Sequence, residues 1–375
     1  MQSVSVTFPS GRGTEVIGTL DLPDTPPIAY AIFAHCFTCS RQVPAASRVC
    51  RTLAAEGIAS LRFDFSDLEF SSNVEELAAA ASWLSAEYEP PQLLVGHSLG
   101  GAAALRAVSL PELASVRAVA TLAAPFDVYH TVLRFGERIR DAETEGSVTV
   151  TLAGREFTLT REFLADLSAH SPDTYLPEVT TPALLLHSPH DQTVPHSNAE
   201  EIYRSLRQPK SLLSLDDANH LLTRGDSAQR AGRLIAEWAR PYLIPSYEPP
   251  QVEDDRVVSR MTVGSRHGTI VDTAGGTLHS DRDKEAGGRG KGHSPLSLLM
   301  AGLAAATTQA IREAAVDMPL IDAHVTITHA TRNIFERKVQ LIGDLTEPQR
   351  RTLLNAAISP FQIMLPGIKI LDVPA

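Results

Sequence analysis

Gln92-Leu-Leu-Val95-Gly96-His97-Ser98-Leu99-Gly100-Gly101-Ala-Ala-Ala-Leu-Arg106 is the stretch that decides the fold. An apolar run of strand length leads into Gly-x-Ser-x-Gly, and an alanine-rich segment of high helix propensity follows. Strand, sharp turn and helix in that order lift the turn residue clear of the chain, where its side chain can be reached. Small residues flank the serine because the backbone there is strained and neighbouring elements approach closely. Ser98 therefore reads as a nucleophile, against the alternative of an ordinary tight turn between a strand and a helix.

A serine hydroxyl is a weak nucleophile and needs a base within hydrogen-bond reach, itself oriented by a carboxylate. Leu184-Leu-Leu-His187-Ser-Pro-His190-Asp191 places Asp191 just after an apolar strand, and Ser214-Leu-Asp-Asp-Ala-Asn219-His220 places His220 after the next one. The interval of 29 residues leaves room for one helix and one strand, which brings both loops to the same sheet edge. Asp127, in Ala-Ala-Pro125-Phe-Asp127, is the competing acid, one strand earlier. His187, His190 and His196 lie too close to the acid to serve as its partner and read as structural or loop residues, and Asp216 and Asp217 as a solvated turn.

An acyl-transfer intermediate also needs backbone N–H donors for its oxyanion. Leu99, directly after the nucleophile at a helix N-terminus, is one candidate. The other comes from the loop His35-Cys36-Phe37-Thr38-Cys39-Ser40, with Phe37 the choice and Cys36 the runner-up. Cys36-x-x-Cys39 also has the spacing of a redox dithiol, but it lacks a thioredoxin-type helix start, and packing beside the nucleophile is the reading adopted. A second cysteine pair at zinc-ligand spacing is absent from the sequence.

On either side of this stretch, short β-branched runs alternate with Ala/Leu-rich segments up to about residue 244, the pattern of a doubly wound, mainly parallel α/β sheet. Expected strands are Ala29 to Ala34, Ala59 to Phe65, Gln92 to Val95, Val116 to Leu122, Ala183 to His187 and Lys210 to Leu215. Helices are expected over Ala45 to Glu56, Asn73 to Glu87 and Ala102 to Ser109. Ser147 to Leu159 breaks the rhythm with a hairpin pattern and predicts a small cap inserted over about 126–175, which would limit substrate size. Three prolines and a run of acids over Pro245 to Asp255 predict a linker at 246–255 between a first domain, 1–245, and a second, 256–375. The second domain reads as α+β. Extended segments come first, then a basic, glycine-interrupted stretch, Arg282 to Lys291, that reads as a mobile loop. Ser294-Pro295 then opens a long apolar helix, capped and with proline at its first position.

Composition sets limits. The chain of 375 residues exceeds the usual single core, and 43% hydrophobic with 21% charged residues is ordinary for a folded protein. A net charge of −11 opposes a nucleic-acid partner, and no apolar run reaches the roughly 20 residues of a membrane span. Three cysteines, all at or before Cys50, and an N-terminus without a secretory pattern predict a reducing, cytoplasmic setting.

With these residues in hand, the first domain resembles the α/β-hydrolases, and His35-Cys-Phe-Thr-Cys-Ser40 is similar to the variant in which an esterase-like hydrolase is fused to an OsmC-like domain. His293-Ser-Pro-Leu-Ser-Leu-Leu-Met-Ala-Gly-Leu303 resembles the opening of the OsmC central helix, and Gly343-Asp-Leu-Thr-Glu-Pro-Gln-Arg350 the start of its later helix. The resemblance implies an ester hydrolase working through an acyl-enzyme, with a small-molecule ester substrate and no cofactor or metal. It also implies a homodimer formed through the second domain. Where OsmC-like peroxidases carry cysteines, this chain has Ala306 and Ser359, so the thiol chemistry of that family is not available to its second domain. The loops after Phe65 and His329 are shorter than in the family.

Overall fold

Runs such as Ala29 to Ala34 carry apolar side chains at consecutive positions, so a sheet built from them needs cover on both faces. The computed structural model describes residues 1–36, 39–133, 139, 141–152, 155–244, 252, 256–331, 334–358 and 369–372. It divides into two units, Met1–Pro250 with Val263–Arg266, and Gln251–Thr262 with His267–Ala375. The expected linker, 246–255, lies outside the described residues except for Val252.

The first unit holds an eight-stranded sheet. Its strands are β1 (Gln2–Pro9), β2 (Glu15–Leu22), β3 (Ala29–Ala34), β4 (Ile58–Phe63), β5 (Leu93–His97), β6 (Ala118–Leu122), β9 (Ala183–His187) and β10 (Lys210–Ser214). They lie in the order β1-β2-β4-β3-β5-β6-β9-β10. From β4 to β10 all pairs are parallel, whereas β1, β2 and β4 pair antiparallel. The sheet expected from the sequence begins at Ala29 and lacks β1 and β2. Their signal is weak because β1 is half exposed, with Val4, Val6 and Phe8 alternating inward between exposed neighbours.

Both faces of the sheet are covered. Helix α8 (Ser197–Ser205) links β9 to β10, and helices α1 (Pro44–Ala55) and α9 (Ser227–Leu243) pack Val49, Leu53, Ala231 and Ile235 against one face. On the other, α2 (Phe70–Glu87) and α3 (Leu99–Ala107) contribute Leu77, Leu84, Ala103 and Leu105. Fully burying a side chain such as Leu53 or Leu77 contributes about 1.5–3 kcal/mol. Helices α2 and α3 each start three residues before the expected position, since the chain turns helical directly after the preceding loops.

Between β6 and β9 the chain inserts α4 (Val128–Leu133), α5 (Asp141–Glu145), the hairpin β7 (Ser147–Leu152) and β8 (Arg155–Thr160), then α6 (Arg161–Ser168) and α7 (Pro172–Tyr175). Val148, Leu159, Phe163, Leu164 and Leu167 of this insertion join the core of the α2 and α3 face. A polar latch holds it there. Helix α2 has no side-chain cap of its own at Glu69; Asp166 of α6 supplies one, accepting from the Ser71 N–H at 3.1 Å and from the Ser71 hydroxyl. His170 Nε2 closes the group, 2.8 Å from Ser71 Oγ.

Burial pushes the Asp166 carboxyl up, but the nearby His170 ring, 3.8 Å away, and hydrogen bonds from Ser71 and the Phe70 N–H outweigh it and hold it down at about 2. A carboxylate held below its ordinary 3.8 stabilises the fold above that value, and the contribution is lost as pH falls through about 2. Asp166→Asn is therefore expected to lower stability near neutral pH by about 1 kcal/mol, the size of one lost helix cap. In urea melts the gap between variant and parent should close as the pH drops below 3.8 toward about 2.

The second unit has sheets β11 (Val258–Met261), β12 (Thr269–Thr273), β13 (Gly276–Ser280) and β14 (Leu320–Thr331), β15 (Ile334–Gly343), β16 (Lys369–Asp372). Helices α10 (Pro295–Ala314) and α11 (Glu347–Ala356) complete it, and α10 is capped by Ser294, whose side chain accepts from the Ser297 N–H. Ile311, Leu320, Leu345 and Leu353 form its apolar centre. The stretch Arg282 to Lys291, expected as a mobile loop, has backbone N–H groups gathered on Asp281. That buried carboxylate accepts from the N–H groups of Arg282, Arg289 and Lys291. Ala306 lies in α10, and Ser359 lies outside the described residues. Among the described residues no helix is long and apolar enough to cross a membrane.

Candidate active site

Ser98 leaves the end of β5 and begins α3 with φ +54° and ψ −125°, a conformation that costs a non-glycine residue on the order of 1–3 kcal/mol. The surroundings enforce it. The Ser98 N–H is bonded to the Leu122 carbonyl of β6 at 2.8 Å, and the elbow glycines sit against backbone. A Cβ on Gly100 would fall 2.3 Å from the His35 carbonyl oxygen, and one on Gly96 would fall 2.2 Å from that of Gly100. The Gly-x-Ser-x-Gly pattern is thus a packing requirement at the crossing of α3 and the sheet.

Asp191 follows β9 and His220 follows β10, neighbouring parallel strands whose C-terminal ends open onto the same sheet edge as Ser98. His220 Nε2 lies 3.0 Å from Ser98 Oγ, and its Nδ1 lies 2.7 Å from Asp191 Oδ2. A carboxylate can only accept, so Nδ1 carries the proton and Nε2 offers its lone pair to the serine hydroxyl. Asp191 Oδ1 accepts from the N–H groups of Thr193 at 2.8 Å and Val194 at 2.9 Å. Burial alone would raise the Asp191 carboxyl, but the bond from His220, the charge of that ring and the two backbone donors leave it lowered. The arrangement is able to draw a proton from a hydroxyl and to hold the resulting imidazolium beside a fixed negative charge.

Leu99 is the first residue of α3, directly after Ser98, at a helix N-terminus of the kind that favours negative charge. Phe37, expected as the second donor, lies outside the described residues. The residue before that loop is well held: buried His35 donates from Nδ1 to the Cys36 carbonyl at 2.7 Å and accepts the Phe65 N–H at Nε2, and burial pushes its pKa down. Arg41, on the far side of the loop, is paired with Asp64, and its carbonyl accepts from Arg62, whose guanidinium also meets Asp21 at 2.8 Å in the interior.

Cys36 is buried, and it is paired with Cys39 in a disulfide. A turn with the Cys39 N–H bonded to the Cys36 carbonyl brings their Cα atoms to 5.2 Å, within the range a disulfide spans. Cys50 remains a free, buried thiol whose pKa burial raises well above its ordinary value.

Asp127, the competing acid, pairs with His130 at 2.8 Å rather than with His220. His187 is buried against the Val194 carbonyl, and His196 stacks edge-on against it, while Asp216 bonds Ser214 in an exposed turn. A further residue, not expected from the sequence, is His97, whose Nε2 meets the backbone of the His220 loop; its one signal is its place between Gly96 and Ser98. Among the described residues no group of three or more His, Cys, Asp or Glu side chains is arranged to hold a metal ion.

A family model described as alpha/beta hydrolase family matches residues 31–275, more than half of the chain. The chain belongs to the alpha/beta hydrolase family. The solved esterase domain of a Rhodothermus marinus protein is 43% identical to this alpha/beta hydrolase, covering 65% of this chain and 100% of its own, with a TM-score of 0.55. Est1E from Butyrivibrio proteoclasticus is 17% identical over 64% of this chain and 98% of its own, TM-score 0.53. The alpha/beta hydrolase GrgF from Penicillium sp. sh18 is 16% identical over 65% and 100%, TM-score 0.53. These last two share the fold alone. No protein of curated function matches the chain significantly.

Proposed function

We propose that this alpha/beta hydrolase cleaves carboxylic esters through an acyl-enzyme on Ser98. The observation that carries the reading is the unbroken hydrogen-bonded line Asp191–His220–Ser98 on one sheet edge. His220 takes the hydroxyl proton as Ser98 attacks the carbonyl carbon, and the tetrahedral oxyanion is held by the N–H groups of Leu99 and Phe37. His220 then returns the proton to the leaving alcohol. Water attacks the acyl group with His220 again as base, releasing the acid and restoring the serine.

Esters are favoured over amides by the similarity to the Rhodothermus marinus domain, described as an esterase domain and 43% identical. Small or short-acyl esters are favoured because we read the insertion between β6 and β9 as a cap that limits substrate size. The second unit we read as OsmC-like and as a dimerisation module. Its apolar centre is small, and the large apolar side chains of Met261, Val316 and Ile321 face solvent. Sedimentation velocity of the full chain is expected to give a dimer; a monomer across the micromolar range removes that part of the proposal.

The test of the activity is hydrolysis of p-nitrophenyl esters from acetate to octanoate. Turnover should be highest on the short esters and decline along the series. A flat or rising profile contradicts the substrate size, and no turnover on any member contradicts the ester reading.

A further inference from the structure

We infer that His97 is a positioning residue, which holds the His220 main chain so that the imidazole of His220 stands at the right height over Ser98. The inference rests on the Ser98–His220–Asp191 reading. His97 ends β5 immediately before Ser98, and its ring is fully buried. Its Nε2 lies 2.7 Å from the backbone carbonyl oxygen of His220, 123 residues further along the chain. A carbonyl only accepts, so Nε2 carries the proton and donates it. The other ring nitrogen, Nδ1, is buried with no hydrogen-bond partner among the described residues, so the donor is the one polar contact the ring makes.

The geometry couples two loops that nothing in the sheet joins directly. β5 and β10 are separated by β6 and β9, so their C-terminal loops can shift relative to each other without breaking a ladder. The His97 bond ties the two together within one residue of each reacting side chain. Proton transfer between Ser98 Oγ and His220 Nε2 depends steeply on that separation.

The ring must also stay neutral to do this, since a second cation beside His220 would oppose the imidazolium that forms during attack. The groups facing His97 are His220, whose ring centroid is 5.3 Å away, Asp191 and His35. Burial first, and then the charge of His220, push the His97 pKa down to about 3, against the pull of the His220 carbonyl and of Asp191. It is therefore uncharged wherever His220 is able to act as a base.

The test compares His97→Gln, whose amide nitrogen reaches where Nε2 stands, with His97→Leu and with His97→Asn, too short to reach. kcat and KM for p-nitrophenyl acetate, the pH profile of kcat/KM and the rate of fluorophosphonate labelling are measured for each, with urea midpoints to confirm folding. Leu and Asn are expected to lower kcat and the labelling rate by about 30-fold with KM little changed, inside the roughly hundredfold that a misplacement of about 1 Å costs. Gln should recover most of that loss and keep the parent's pH profile. Equal losses in Gln, Asn and Leu, or a fully active Leu or Asn variant, overturn the inference. If Leu fails to fold, the contrast between Gln and Asn decides. Ser98→Ala is labelled in parallel: label that persists there removes the underlying triad reading, whereas label that depends on Ser98 leaves a flat His97 series to count against His97 alone.

Discussion

Ser98→Ala is expected to lower kcat on p-nitrophenyl acetate by on the order of a millionfold, with the urea midpoint little changed. The size follows from the role: without the hydroxyl there is no covalent intermediate, and His220 and the oxyanion donors have no nucleophile to serve. What remains is the small rate enhancement from binding and the N–H groups. The small effect on stability has a local source. Ser98 sits at φ +54° whatever its side chain, the bond from its N–H to Leu122 is kept, and only the hydroxyl's bond to His220 is given up. Steady-state kinetics and a denaturation curve on the same preparation check both halves. A variant that keeps more than about a hundredth of the parent activity is incompatible with the mechanism, given the losses that follow removal of a triad serine.

Asp191→Asn is expected to cost on the order of 10^4-fold in kcat with little effect on KM. Asp191 Oδ1 accepts from the N–H groups of Thr193 and Val194. Those donors would fix the carbonyl oxygen of an asparagine at that position and turn its amide nitrogen toward His220 Nδ1. The ring would then have to accept at Nδ1 and carry its proton on Nε2, where it faces Ser98 Oγ and is unable to take a proton. Geometry survives while the tautomer is wrong. In the parent enzyme the same carboxyl is held below its ordinary range, so it stays ionised as the pH falls through the acid limb of kcat/KM. Asp191 should therefore add no protonation step of its own to that limb. A variant with near-parent kcat, or an acid limb steeper than one proton in the parent, contradicts this account of Asp191.

Most of the candidate site is legible in the amino-acid sequence because each of its residues sits where chemistry and fold coincide. Gly96, Gly100 and Gly101 mark a close crossing, and Asp191 and His220 each follow an apolar strand. The helix starts are less legible, since Phe70 and Leu99 follow directly on short loops with no side-chain cap to announce them. The N-terminal hairpin escapes the pattern because a half-exposed edge gives a diluted alternation. Long-range polar contacts leave no trace in sequence at all. Asp166 capping α2 and His97 reaching the His220 carbonyl each join residues whose spacing follows no local period. The Cys36–Cys39 disulfide is a local case: its spacing is visible in the sequence, and the bond from the Cys39 N–H to the Cys36 carbonyl brings the pair together.

The measurement that bears most directly on the central claim is to mix the enzyme with excess p-nitrophenyl acetate, quench in acid within the first turnovers, digest and locate the acetyl group by mass spectrometry. One acetyl group is expected, on the peptide that contains Ser98. An acetyl group on Cys50 or on another serine, or turnover with no acylated peptide at all, would contradict it.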